Sequence, residues 1–139
     1  MCTHAKIRCV DDRAVVGAWR ELLAKHAATW GALEHELGAK HGLGPSDFEV
    51  LDLMIEHGGD RLRVQELAAG AHLSQSALSR LIARLEKAGL VARSMCDNDR
   101  RGVFVCITDE GRARHAAASP THRAVLANVL GDDTDSDRA

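Results

Sequence analysis

From Asp11 to His41 no proline interrupts the chain, and Val16, Trp19, Leu23, His26, Trp30, Leu33 and Leu37 recur in alternating steps of three and four. That spacing predicts a single helix over 11–41 carrying a heptad stripe. Asp11 or Asp12 is placed to cap its start, and Gly42 to end it in the left-handed conformation. A helix well beyond the usual 10 to 14 residues needs something to pack on. The stripe continues naturally against a second copy of the chain, so a homodimer is expected; an intramolecular scaffold helix would use the same residues. Gly44-Pro45-Ser46 opens a second helix, with Ser46 and Glu49 spaced as a capping box and Phe48, Leu51, Leu53, Met54 and Ile55 as its apolar side. His57-Gly58-Gly59-Asp60 ends it.

Arg61 to Val64 reads as a brief extended stretch, and Gln65 to Gly70 as a short helix carrying Leu67 and Ala68. After Ala71-His72-Leu73, Ser74 is an N-cap candidate for an amphipathic run. Leu78, Leu81, Ile82 and Leu85 mark its apolar face, and Gln75, Ser76, Ser79, Arg80, Arg84 and Lys87 lie on the others. Two helices joined by a tight turn, the second starting with small hydrogen-bonding residues, form a helix-turn-helix pattern. Leu90 to Cys96 and Val103 to Ile107 then read as two strands around a charged tip, Asp97 to Gly102. If paired residues sum to about 199, Cys96 faces Val103 and Cys106 faces Arg93, too far out of register for a disulfide. Thr108 caps a last helix, which Pro120 is expected to kink or divide.

One domain of 139 residues is thus anticipated, mainly α, with a two-stranded β wing. Its parts are a flexible arm over 1–10, a dimerisation helix over 11–41, a winged helix-turn-helix over 46–107, a kinked C-terminal helix over 108–130 and an acidic, unfolded tail over 131–139. The formal net charge is −2, which looks unfavourable for a polyanion partner. Between Arg61 and Arg101, however, eight basic residues stand against four acidic ones, a local charge of +4 that the acidic tail masks. Only 3% of residues are aromatic and none is Tyr, which leaves little for base stacking and points to double-stranded DNA.

Groove geometry assigns the roles. The start of the second helix presents Ser74, Gln75, Ser76 and Ser79 to base edges, with Gln75 able to read adenine through two hydrogen bonds. Arg80 reaches a base or a phosphate, Arg84 a phosphate, and Arg100 or Arg101 at the hairpin tip the minor groove. Asp99 is placed to orient an arginine. The bland alternative is a solvated helix face followed by a charged turn.

At this point the chain resembles the MarR family of bacterial regulators, winged helix-turn-helix dimers that bind palindromic operators and often release them on binding small effectors. The likeness runs from about Val16 to Leu130. It is carried by Leu67-Ala68, by Leu73-Ser74-Gln75-Ser76-Ala77-Leu78-Ser79-Arg80 through Gly89-Leu90-Val91, by Asp99-Arg100-Arg101-Gly102, and by Ile107-Thr108-Asp109-Glu110-Gly111. The resemblance implies that Ser74 to Arg84 is the recognition helix and Asp99 and Arg101 the wing pair. It further implies an effector pocket between the first two helices and the helix after the wing, for which Trp19, Leu23, Phe48 and Leu51 are candidates, although each is better suited to a plain core contact, since amphipathic helices bury such residues anyway. Family members usually add a further C-terminal helix that pairs with the first across the dimer, and this chain leaves too few residues for a full one.

Other functions draw less support. No apolar run approaches the roughly 20 residues of a membrane-crossing helix, and the N-terminus lacks a secretory signal, so a reducing cytoplasm and free thiols are expected. Cys9 invites comparison with redox-sensing relatives but has no tyrosine to hold it. The eight histidines invite comparison with zinc-sensing ones, through His35, His41 and His115 for instance, yet none has a second histidine three or four residues on. No phosphate loop, nucleophile elbow or linked triad suggests an enzyme, and no cofactor is called for. A winged helix that binds protein rather than DNA is the remaining rival.

Overall fold

A computed structural model describes residues 11–58, 61–95 and 103–136. The element order is α1 (Asp12–His41), α2 (Pro45–Glu56), β1 (Leu62–Arg63), α3 (Val64–Ala71), α4 (Gln75–Lys87), β2 (Val91–Met95), β3 (Val103–Ile107) and α5 (Asp109–Ser136). The strands form one antiparallel sheet in the order β1-β3-β2.

Helix ends follow local chemistry. The Asp11 carboxylate accepts the Arg13 N–H at 3.1 Å to start α1, and Gly42, at φ 65°, closes it. In α2 the expected Ser46–Glu49 box does not form. Pro45, with φ already set for a helix, occupies the first turn, which makes Gly44 the cap and puts Asp47 at the third helical position. The Asp47 carboxylate accepts the Gly44 N–H at 2.9 Å. α3 ends on His72, which takes a left-handed conformation (φ 56°, ψ 41°) and is the one non-glycine residue with positive φ among the described residues.

The core is built where the stripes meet. Leu78, Leu81, Ile82 and Leu85, the predicted inner face of α4, are buried against Phe48, Leu51 and Met54 of α2 and Val105 and Ile107 of β3. The β2–β3 register pairs residues summing to 198, with Arg93 opposite Val105 and Ala92 opposite Cys106. The expected register was one residue off, so Cys106 does not face Arg93; its thiol donates weakly to the Ala92 carbonyl at 3.6 Å. Cys96 lies outside the described residues.

α1 packs chiefly along α5. Only Leu33 and Leu37 of its stripe are buried, while Val16, Trp19 and Leu23 stay exposed. α5 also departs from expectation. It is not divided at Pro120, and it runs on to Ser136, through most of the segment expected to be unfolded. Pro120 and Ala116 both lie on an exposed side, so the Ala116 carbonyl that loses its helical donor is open to water.

Candidate nucleic-acid interface

The outward face of α4 owes its shape to the inward one. Because four apolar residues at helical spacing are held in the core, Gln75, Ser76, Ser79, Arg80 and Arg84 are all turned to solvent. Ser74 is exposed too, but its hydroxyl is committed to the helix end, where it accepts the Ala77 N–H at 3.2 Å as the cap and lies 3.3 Å from the Ser76 hydroxyl. Arg84 is tethered, its Nη2 donating to Asp47 Oδ1 at 3.0 Å. Asp47 thereby serves twice, since its other oxygen caps α2, and it ties α4 to α2.

Arg93 of β2 braces the same helix from the other side. Its backbone N–H donates to Glu86 Oε2 at 3.2 Å and its Nη2 to the Ser79 carbonyl at 3.3 Å. At the far edge of the sheet, the guanidinium groups of Arg61 and Arg63 lie 5.8 and 5.7 Å from the centre of the Phe104 ring, a cation–π arrangement. Sequence reasoning counted these three arginines as charge without giving them a place. The i, i+2 spacing of Arg61 and Arg63 was the available signal, since strand periodicity puts both on one face. Of the eight basic residues expected on this side, the six that are described are all exposed. Asp99, Arg100 and Arg101 lie outside the described residues.

Trp19, Leu23, Phe48 and Leu51 do not line one cavity. Trp19 and Leu23 are 56% and 46% exposed, whereas Phe48 and Leu51 are fully buried, because α1 meets the core only through its last third. On the α5 side of Phe48 lies a polar cluster. The His115 and His122 rings stack on it at 5.2 and 4.2 Å, and the Arg123 guanidinium lies 5.7 Å from its centre. Asp52 Oδ1 pairs with His115 Nε2 at 2.7 Å and with Arg123 Nη2 at 2.9 Å. Burial pushes the Asp52 carboxyl up, but the hydrogen bonds from Arg123 and His115 and their charge outweigh it and hold the group below the ordinary range. Burial, helped by the neighbouring Arg123 charge, pushes His122 down.

Two of the three histidines weighed as zinc ligands have other partners: His41 Nε2 lies 3.0 Å from Thr121 Oγ1, and His115 is engaged by Asp52, while His35 is exposed on α1. Among the described residues no three His, Cys, Asp or Glu side chains group as a metal site, and no helix is long and apolar enough to cross a membrane.

A helix-turn-helix whose second helix is polar outward, flanked by a small antiparallel sheet and framed by two long helices, defines a winged helix-turn-helix protein. Residues 41–102 match the model of the MarR family. Over 94% of its length the chain is 34% identical to AbsC, a MarR family transcriptional regulator from Streptomyces coelicolor, covering 91% of that chain with a TM-score of 0.78. Sco3205 from the same organism, a MarR family regulator solved in complex with DNA, is 30% identical, with 89% and 80% of the two chains covered and a TM-score of 0.80. The transcriptional repressor MdtR of Bacillus subtilis is 32% identical over 66% of this chain and 57% of its own length. The chain spans 57% to 63% of the length of MdtR and comparable Bacillus subtilis relatives. The chain belongs to the MarR family, whose members are transcriptional regulators rather than enzymes.

Proposed function

We propose that this protein is a homodimeric, sequence-specific regulator that binds a palindromic double-stranded operator in the cytoplasm, represses transcription there, and is modulated by a small effector. The observation that carries the reading is the exposed polar face of α4, capped by Ser74 and anchored through Asp47 and Arg93. A rigidly mounted helix with Gln75, Ser76, Ser79 and Arg80 outward has the size and chemistry of a major-groove reader. The arginines of β1, α4 and β2 supply phosphate contacts around it, and in this reading Arg100 and Arg101, between β2 and β3 in the sequence, extend them while Asp99 orients an arginine. Repression is favoured by the names of MdtR and YetL, both transcriptional repressors, and DNA as partner by the Sco3205 complex.

Fluorescence anisotropy on a duplex from the gene's own upstream region, beside a scrambled duplex and at two salt concentrations, tests this. Expected are preferential binding of the native duplex, steep weakening with salt and saturation at two chains per site. Weak, indifferent and salt-insensitive binding would favour a protein partner instead.

A further inference from the structure

A cavity of about 310 Å³ lies where α1, α2 and the turn from α3 into α4 come together, lined among others by His26, Trp30, Ser46, Glu49, His72 and Leu73. Among the described residues none of α5 lines it, so it is separate from the pocket implied by the family resemblance between α1, α2 and the helix after the wing. One wall is flat and aromatic: the His26 and Trp30 rings, one helical turn apart, stack with centroids 5.5 Å apart and planes 18° from parallel. Another carries Ser46 and Glu49, three residues apart on α2 and therefore on one face. No lysine or arginine among the described residues lines the cavity. Burial and the negative charges of Asp52 and Glu56 outweigh the opposing charges of Arg123 and His72 and hold the Glu49 carboxyl above the ordinary carboxylate range.

We propose that this cavity binds a planar aromatic cation, which stacks on the His26–Trp30 wall and pairs with Glu49, and that its occupancy acts on the recognition helix. An aromatic acid would find no lysine or arginine on the lining and would face the Glu49 carboxylate. A cation gains twice, from the ring faces and from the carboxylate, while relieving the crowding of negative charge on α2. The volume suits a two-ring system. Coupling follows from position: His72, held in the left-handed region, and Leu73 immediately precede Ser74, the cap of α4. A ligand wedged between them and α1 changes the angle at which α4 leaves the turn. This last step rests on the regulator reading; the binding step does not.

The test uses the full chain without DNA, titrated with N-methylquinolinium and with 2-naphthoate, similar two-ring frameworks of opposite charge. Calorimetry and indole fluorescence in the Trp19→Phe variant, where Trp30 is the remaining indole, read the binding. We expect the cation to bind roughly tenfold more tightly than the anion and to quench Trp30, and Glu49→Gln, with unchanged melting, to abolish the preference. Equal affinities, preference for naphthoate, or a preference that survives Glu49→Gln would overturn the ligand class. Binding that disappears as protein concentration rises would assign the groove to a second copy of the chain and overturn the site. Operator anisotropy with and without the cation then reads the coupling. An operator affinity unmoved by a bound cation would overturn it, whereas failure to bind the operator without ligand would count against the regulator reading and leave the DNA-free titration to decide the cavity.

Discussion

A single missing methyl explains one of the sequence's most specific signals. At Gly111 an added Cβ would lie 2.1 Å from the Leu90 carbonyl oxygen and 2.7 Å from Ile107 Cγ1. The same Leu90 oxygen accepts the Thr108 N–H at 3.0 Å, while the Thr108 hydroxyl donates to the Gly89 carbonyl at 2.6 Å and accepts the Gly111 N–H at 3.0 Å. The Thr-x-x-Gly spacing therefore welds the start of α5 to the segment that leaves α4, and backbone cannot yield as a flexible side chain would. Gly111→Ala is expected to cost about 2 kcal/mol or more, read by urea denaturation. Gly31, with nothing within 4 Å of its would-be Cβ in mid-helix, should respond oppositely, Gly31→Ala gaining roughly 0.5–1 kcal/mol. Similar midpoints for the two variants would refute the close approach. On the DNA face, Arg84→Ala should weaken binding to every sequence and reduce the salt slope by about one, and Gln75→Ala should mainly relax specificity. Equal losses on cognate and scrambled duplexes for Gln75→Ala would remove its base-reading role.

Between elements, the α2–α5 contact is governed by groups whose meeting no local pattern announces. Asp52 lies more than sixty residues from His115 and Arg123, and periodicity reports only which way a residue faces along its own helix. That is why α4 was legible, with all four inner positions and its cap, while the polar cluster around Phe48 was not. The strand register slipped by one for a related reason: the hairpin tip carries several turn residues, and their number does not fix the pairing. Pro45 stands in the first turn of α2 as its preset φ predicts, but the box it frames is Gly44–Asp47 rather than Ser46–Glu49, and Pro120 does not divide α5. The cluster makes a pH prediction. His122 has a folded pKa below its unfolded one, so the unfolded chain takes up the proton first and stability falls as pH drops through about 6.5. Asp52, held low, adds a second loss that begins as pH falls through the ordinary carboxylate range and is complete only below it. Melting temperature should thus decline between pH 7.5 and 5.5, and His122→Gln, lacking the titrating ring, should flatten that decline. An unchanged slope in the variant would place the acid sensitivity elsewhere.

At the scale of the whole molecule, α1 carries one stripe put to two uses. Leu33 and Leu37 belong to the chain's own core, and α5 lies alongside the helix. Toward the N-terminus, Val15, Val16, Trp19, Leu22 and Leu23 remain 41–62% exposed. Clustered large apolar side chains on one stretch of helix are an association surface rather than scattered surface residues. In the proposed homodimer a second copy, related by a two-fold axis, would offer the same stripe in return, and the pairing would fix the separation of two α4 helices to successive major grooves, about 10 base pairs apart. Linked readers gain effective concentration that single ones lack. Replacing Leu22 and Leu23 by Glu touches none of the buried core, so the variant should keep its helical circular dichroism while sedimenting as a monomer. Its operator affinity should fall roughly a hundredfold or more, with the half-site affinity of a single recognition helix unchanged. A wild-type chain that sediments as a monomer at micromolar concentration, or a charged variant that remains dimeric, would assign the stripe to some other partner and leave the spacing of the recognition helices without a mechanical basis.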